Sequence, residues 1–187
     1  MWFGFAVLVL GSLLPGGPQP VLDCPRSLWQ PQGGTQWTPT AVCDDRVLAT
    51  EAGEAPWSWG AVQYGEELPA AFELSFRYRR LTPDQDATFE VHLPGGALLL
   101  KAARYGLYRS EAQFNRDGWT PLAPARGERA VRLSVRARDV EVWLDGERAV
   151  ACERPTGVQA ILQIAAKGHP GLRSRVYLRG LSLRPLQ

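Results

Sequence analysis

Apolar and polar side chains alternate along most of the chain after about residue 36, and this period of two limits the fold more than any other feature of the sequence. The clearest case is the run 72–79, which reads FELSFRYR. Successive side chains of a β-strand point to opposite faces, so such a run is typical of a half-buried antiparallel strand. No long stretch shows the spacing of an amphipathic helix. The sequence therefore predicts an all-β domain.

Turn residues divide this alternating pattern into short segments. The runs 131–135 and 140–144 flank a predicted tight turn at Arg138–Asp139, and Asp145–Gly146 follows the second run. The Asp-Gly pair at 117–118 is a hairpin signal as well, because both central residues of the favoured two-residue turn need positive φ. Further predicted strands cover 88–93, 97–103, 105–114, 161–165, 176–178 and 181–183. Short strands separated by such turns are typical of a two-sheet sandwich.

The composition is that of an ordinary globular domain. Of the 187 residues, 45% are hydrophobic and 21% are charged, which excludes a disordered chain and a polytopic membrane protein. The length suits a single domain. The formal net charge of +2 creates no field strong enough to favour nucleic acid as a partner.

An uncharged apolar run occupies residues 2–14 and stops at a segment rich in proline and glycine. A helix of this length rises about 20 Å, less than the roughly 30 Å hydrocarbon thickness of a bilayer, so the run fits a signal peptide better than a membrane span. We expect residues 1–20 to be a signal peptide or an N-terminal membrane anchor; an apolar arm docked on a partner is the alternative. Residues 21–35 are predicted to be a linker and residues 36–187 the sandwich. The predicted location is periplasmic or extracellular, with or without a membrane tether.

Three cysteines occur, at Cys24, Cys43 and Cys152. No CxxC pair is present and no histidine lies near them in sequence, so a zinc site is not expected. In an exported protein Cys24 and Cys43 can form a disulfide, which would stabilise the fold by about 3 kcal/mol. Cys152 would then be a buried thiol that behaves as a small hydrophobic residue.

Several of these segments together resemble a known superfamily. Trp37 is followed by WSWG at 57–60, FELSFR at 72–77, VEVWLDGE at 140–147 and VYLRGL at 176–181. This order is similar to that of the concanavalin A-like lectin/glucanase superfamily, especially its laminin G-like and bacterial sugar-hydrolase-associated members, over about residues 28–186. The resemblance implies a jelly-roll sandwich of two antiparallel sheets whose last strand pairs with one near the beginning. It also implies carbohydrate binding, glycan cleavage or protein contact as the function.

The sequence offers no set of catalytic residues. Family-16 glycosidases of this superfamily carry their carboxylates as E-x-D-x-x-E on one strand, a spacing that places alternate side chains in the cleft, and this motif is absent here. No G-x-S-x-G motif and no phosphate-binding glycine loop occur either. We therefore expect a protein that is not an enzyme.

Aromatic residues in or near predicted loops are candidates for ligand binding, because the apolar C–H faces of sugars stack on flat rings. These candidates are Trp57, Trp59, Tyr64, Tyr105, Tyr108, Trp119 and Trp143. The competing interpretation of each ring is packing in the core. Trp143 alternates with Val142 and Leu144, so we expect it to face outward.

The acidic residues Asp44, Asp45 and Asp117 are weak candidates for binding Ca²⁺. A calcium ion takes six or more oxygen ligands, and these short acidic sites supply few. We therefore predict no metal site and no other cofactor.

A set of arginines falls on outward positions of strands that are neighbours in this fold. The set comprises Arg77, Arg79, Arg132, Arg136, Arg175 and Arg179. Guanidinium groups bind carboxylate and phosphate in a bidentate way, so such a face suits an acidic polysaccharide, lipid headgroups or an acidic protein. The alternative is a solvated face on which Glu73 and Glu141 are the ion-pair partners.

The sequence thus predicts a non-catalytic binding module of an exported or membrane-tethered, bacterial-type protein that recognises a glycan or a protein surface. The alternative is a structural accessory subunit of a membrane-bound complex, anchored by its N-terminus. Glycoside hydrolysis is the third and least favoured of the functions considered.

Overall fold

The computed structural model describes residues 26–40, 42, 44–50, 58–81, 87–93, 96–109, 119–123, 127–154, 161–168 and 174–187. Within these residues the chain forms fourteen β-strands. They are β1 (Trp29–Gln32), β2 (Gln36–Pro39), β3 (Arg46–Ala49), β4 (Ser58–Tyr64), β5 (Phe72–Arg80), β6 (Thr88–Leu93), β7 (Gly96–Leu100), β8 (Arg104–Arg109), β9 (Thr120–Pro121), β10 (Arg129–Val135), β11 (Asp139–Leu144), β12 (Glu147–Glu153), β13 (Gln163–Gly168) and β14 (Arg175–Pro185). None of the described residues belongs to a helix long and apolar enough to cross a membrane.

The strands form two seven-stranded sheets. Sheet A has the order β1-β4-β13-β6-β7-β8-β9, and sheet B has the order β12-β11-β10-β5-β14-β3-β2. All neighbouring strands are antiparallel. In sheet B, β14 lies between β5 and β3, so a late strand pairs with two early ones. The predicted all-β, two-sheet jelly-roll sandwich is confirmed.

The core lies between the two sheets and consists of alternate residues from each strand. On β5 the residues Phe72, Leu74, Phe76 and Tyr78 are buried, and the residues between them are not. Phe89 of sheet A packs on Phe76 and Tyr78 of sheet B, at ring-centroid distances of 5.8 and 4.7 Å. Each large apolar side chain buried in this way stabilises the fold by roughly 1.5–3 kcal/mol.

A two-residue turn joins β11 to β12, as the sequence Asp145–Gly146 indicates. The φ angles of Asp145 and Gly146 are +53° and +90°, which is the backbone of a type I′ turn. The side chain of Asp145 also accepts a hydrogen bond from the backbone N–H of Ala130 at 2.9 Å and forms an ion pair with Arg129. The turn therefore holds the β10–β11–β12 part of sheet B together at one end.

The sandwich starts earlier than the sequence predicted, because β1 lies inside the expected linker at 21–35. Trp29 is buried and packs edge-on against Tyr64 at 5.6 Å between ring centroids, which anchors the segment. Pro31 cannot donate a ladder hydrogen bond, but β1 is an edge strand, where proline is tolerated. Pairing with β4 outweighs the proline- and glycine-rich composition that suggested a linker.

Several other predictions fall outside the described residues and stay predictions. These are the assignments of residues 1–20, the Cys24–Cys43 disulfide and the Asp117–Gly118 turn. Cys152 is described: it is a free cysteine on β12, half-buried against the core rather than fully buried.

Candidate functional site

Three polar side chains form one row across the middle of sheet A. Gln63 of β4 lies directly opposite Gln163 of β13, and Gln163 lies directly opposite His92 of β6. All three alternate with core residues, as Val62, Ile164 and Val91 are fully buried. Adjacent strands lie about 4.8 Å apart, so the three side chains are immediate neighbours on the outer face of the sheet. We call Gln63, Gln163 and His92 the glutamine row.

The imidazole of His92 is held by a carboxylate on the same strand. His92 Nε2 lies 2.8 Å from Glu90 Oε2, and the Glu90 side chain is mostly buried. A carboxylate partner fixes the orientation of an imidazole ring and the nitrogen that carries its proton. His92 is therefore presented in a defined orientation at the end of the glutamine row.

Trp59 lies on the same face as the glutamine row, four residues before Gln63 on β4. It is 46% exposed, which is unusual for so large an apolar side chain. Ala61 and Ala165 lie between the two positions and are fully shielded from solvent, although they point away from the core. Trp59, Gln63, Gln163 and His92 are among the described side chains of this face that do reach solvent.

These groups suit a ligand that both donates and accepts hydrogen bonds. A glutamine amide offers two donor hydrogens and one acceptor oxygen, and the His92 imidazole adds its Nδ1, because Nε2 already contacts Glu90. An exposed indole adds a flat apolar surface. Among the described residues, no three His, Cys, Asp or Glu side chains come together as metal ligands. Asp45, a calcium candidate, is buried and accepts a hydrogen bond from the Tyr177 hydroxyl instead.

The other predicted aromatic ligands lie elsewhere. Tyr105 is buried in the core and its hydroxyl donates to the Ala149 carbonyl at 3.1 Å, so its prediction as a platform residue is wrong. Tyr64 is half-buried beside Trp29, and burial is the main reason that its pKa is raised. Trp119 packs under Arg104, whose guanidinium carbon lies 4.9 Å from the ring centroid. Trp57 and the side chain of Tyr108 lie outside the described residues.

The structure places the predicted arginines on sheet B, the opposite side of the sandwich. Five of them occupy outward positions on three neighbouring strands, and the sixth directly follows β10. In strand order these are Arg132 on β10, Arg77 and Arg79 on β5, and Arg175 and Arg179 on β14, with Arg136 after β10. Glu141 pairs with Arg136 at 3.3 Å and with Arg148 at 3.5 Å, so part of this face consists of solvated ion pairs.

Trp143 faces outward on sheet B, as its alternation with Val142 and Leu144 predicts. The guanidinium carbon of Arg132 lies 3.9 Å from the centroid of its ring. The two residues are cross-strand partners in the β10–β11 hairpin. Trp143 thus belongs to the arginine-rich face and not to the glutamine row.

Sequence reasoning identified Trp59 but missed the glutamine row. Each glutamine occupies an outward position of an alternating run, which is visible in the sequence. The signal that was lacking is the pairing of β13 with both β4 and β6, because these strands are far apart along the chain.

Solved structures with a similar fold identify the architecture of this chain. The carbohydrate recognition domain of Emp47p is 10% identical to this chain, with a TM-score of 0.55, and the match covers 88% of this chain and 91% of that one. The chain has the concanavalin A-like jelly-roll fold. An alginate lyase from Corynebacterium sp. shares this concanavalin A-like fold at 10% identity and a TM-score of 0.54, with 82% of each chain covered.

A sialidase also matches, at 8% identity and a TM-score of 0.56, over 83% of this chain. The match covers 18% of the sialidase, so this chain spans about a fifth of that protein. No model of a known protein family matches the chain, and no curated protein sequence matches it. At such low identities the likeness shows the fold alone, and function has to be argued from the site.

Proposed function

We propose that this jelly-roll domain is a glycan-binding module that does no chemistry and binds its ligand on the outer face of sheet A. The observation that carries the proposal is the glutamine row, which lies across three neighbouring strands on the same face as the exposed Trp59. A solved domain of the same fold is described as the carbohydrate recognition domain of Emp47p.

The chemistry of this face matches that of a sugar. Sugar hydroxyl groups donate and accept at once, and so do the glutamine amides. The strands β4, β13 and β6 each pair with a neighbour on both sides in sheet A, so their side chains are positioned before the ligand arrives. Such preorganisation reduces the entropy cost of binding.

A glycan array followed by calorimetry tests the proposal on the full chain. We expect Trp59→Ala and Gln163→Ala each to weaken binding of the array ligand at least 10-fold, because each removes a group on the accessible face. Gln36→Ala, an exposed glutamine on β2 of sheet B, is the matched control and should leave the affinity within twofold. Binding that survives both Trp59→Ala and Gln163→Ala would refute the site, and no glycan binding at millimolar concentration would refute the function.

A second candidate, cleavage of an acidic glycan, is favoured by the Glu90–His92 hydrogen bond. An imidazole that a carboxylate holds in place is a common general acid or general base. Cleavage of an acidic glycan by elimination needs a base that removes the proton next to the carboxylate and an acid that protonates the leaving oxygen. The Corynebacterium protein of the same fold is an alginate lyase. Incubation with alginate distinguishes the two candidates: release of unsaturated oligosaccharides that His92→Ala abolishes would establish the enzyme, and intact alginate would leave the binding module.

We further propose that the domain acts outside the cytoplasm, on the basis of the apolar run at 2–14 and its proline- and glycine-rich continuation. N-terminal sequencing of the mature protein tests this. Loss of residues 1–20 is expected for a signal peptide. Retention of these residues, with subunits that co-purify in mild detergent, would instead favour the accessory subunit of a membrane complex.

A further inference from the structure

A groove crosses the outer face of sheet B, on the side of the sandwich away from the glutamine row. Its volume is about 590 Å³, within the range of about 300–1,000 Å³ that is usual for small-ligand sites. We call it the arginine groove and define it by Arg77, Arg132, Arg179, Ser75 and Trp143, which line it. It runs over β11, β10, β5 and β14, four adjacent strands of the sheet.

Two arginines of the groove lie directly opposite each other. Arg77 of β5 and Arg179 of β14 are cross-strand partners. Like charges in this arrangement destabilise a sheet. Arg179 has only a long contact with Glu128, at 3.9 Å, and within the described part of the chain Arg77 has no ion-pair partner. The fold therefore keeps two guanidinium groups side by side with little compensation of their charge.

The third arginine is oriented by an aromatic ring. Arg132 stacks on Trp143 at 3.9 Å, and its contact with Glu73 is also 3.9 Å. Glu73 lies closer to Arg184, at 2.7 Å, so this carboxylate is shared between two cations. Stacking on an indole holds a guanidinium plane while leaving most of its N–H groups free to donate.

A β-bulge adjoins the groove. The register between β14 and β5 shifts between Arg179 and Ser182, and Gly180 in the shifted segment has φ +60°. Bulges redirect neighbouring side chains and are frequent beside functional sites. Here the bulge follows Arg179 immediately and so sets the position of one of the three cations.

Other arginines of the same face are engaged differently. Arg136 pairs with Asp139 and Glu141, both at 3.3 Å, and Arg148 pairs with Glu141 at 3.5 Å. Outside the groove, then, these two arginines of the face have carboxylate partners and form ordinary solvent-exposed ion pairs. Carboxylates are scarce in the groove, where Arg77, Arg132 and Arg179 converge.

We propose that the arginine groove binds the carboxylate groups of an acidic oligosaccharide, such as a chain of uronic acids. Each guanidinium can form a bidentate pair with one carboxylate, and a uronic acid chain carries one carboxylate on each ring. Trp143 and the small residues of the groove offer apolar contact to the rings between the charges. The proposal is independent of the glutamine row, because the two sites lie on opposite faces of the sandwich.

The position of the groove argues against an acidic peptide. Peptides commonly dock on sheets by adding a strand to an exposed edge. The groove instead lies over interior strands of sheet B, whose backbone groups already pair with β-neighbours on both sides. Recognition here has to come from side chains, which favours a short ligand with closely spaced charges.

Calorimetry on the full chain tests the proposal with a tetramer of galacturonic acid as the probe and a neutral galactose tetramer as its uncharged counterpart. We expect binding of the acidic tetramer alone, weakening as salt is raised. Arg77→Gln and Arg179→Gln should each reduce the affinity about 10-fold, and Arg77→Lys should reduce it less, because it keeps the charge and loses the bidentate geometry. Arg136→Gln and Arg148→Gln are matched controls on the same face and should leave the affinity within twofold.

Arg77→Gln is expected to fold normally, since it breaks no ion pair among the described residues, and its melting temperature checks this. Any of three results would overturn the proposal: no binding of the acidic tetramer, equal binding of both tetramers, or equal losses in Arg77→Gln and Arg136→Gln. Tighter binding of an oligoglutamate peptide or of phosphatidylglycerol vesicles through Arg77 would overturn the assignment to a glycan. Repeating the titration in Trp59→Ala and Gln163→Ala separates this site from the glutamine row, because the effect of Arg77→Gln should persist in both.

Discussion

The buried guanidinium of Arg129 forms an ion pair with Asp145, the first residue of the β11–β12 turn. Arg129 also donates to the Ala123 carbonyl at 2.5 Å, so it links the start of β10 to the segment after β9. One carboxylate thus balances a charge that the core shields from water.

Removing that carboxylate should be costly. We expect Asp145→Ala to lower the free energy of unfolding by about 3 kcal/mol, because it leaves a buried cation without its partner and puts alanine at a positive φ. Asp145→Asn should cost less, since asparagine tolerates the type I′ turn and keeps a hydrogen-bond acceptor. Urea denaturation measures both. Equal losses in the two variants would show that the charge is unimportant.

Tyr78 should make the protein less stable as the pH rises above 10. Burial raises the pKa of Tyr78 to about 12 from the ordinary 10.0, while the nearby Arg129 and Arg80 act in the opposite direction. The unfolded chain therefore loses this proton first as the pH rises. Stability is retained below pH 10 and falls between pH 10 and 12, by about 1.4 kcal/mol for each pH unit.

Tyr78→Phe isolates this contribution. The variant lacks the titrating hydroxyl, so its stability should fall less steeply between pH 10 and 12 than that of the unchanged protein. The pKa values of Tyr64 and Tyr177 are also raised, but both residues are present in each protein and their effects cancel in the comparison. Parallel curves for the two proteins would contradict the prediction.

Truncation of Leu133 tests whether the two sheets pack on each other as described. Leu133 is fully buried on β10, where its cross-strand partners are Leu74 and Val142. Leu133→Ala should lower the free energy of unfolding by about 3 kcal/mol, the sum of lost burial and the cavity that remains. Arg136→Ala, at the exposed residue that directly follows this strand, is the control and should leave the free energy of unfolding nearly unchanged. A tolerated Leu133→Ala would mean that the two sheets do not pack as described.

Substitution of Gly180 tests whether the bulge in β14 requires a residue with positive φ. The φ of Gly180 is +60° and a Cβ there would meet no atom within 4 Å, so only the backbone conformation opposes substitution. Gly180→Ala should cost about 1 kcal/mol, and Gly180→Asn should cost less because asparagine visits this region more readily. Thermal unfolding of the two variants measures the difference. A neutral Gly180→Ala would show that the bulge relaxes freely.

The fold was readable from the sequence because its strongest signals are local. Alternation along 72–79 and around the hairpin that contains Leu133 and Val142 predicted which side chains are buried. The same alternation placed Trp143 outside the core. Its stacking on Arg132 also follows once the hairpin register is known.

The parts that were missed depend on contacts between distant segments. Nothing near Gln163 in sequence indicates that Gln63 lies beside it. Strand β1 escaped notice because Pro31 and its glycine-rich surroundings resemble a linker, and only pairing with β4 makes it a strand. Tyr105 was assigned to a binding surface because aromatic composition does not reveal which side of a short strand faces the core.

The position of β14 between β5 and β3 has a consequence for biosynthesis. A ribosome makes β14 well after β3 and β5, so each of these two strands keeps an unpaired edge until β14 is made. Exposed edges invite pairing with other chains. The newly made protein is therefore exposed to pairing with other chains at β3 and β5 until β14 emerges and covers both edges.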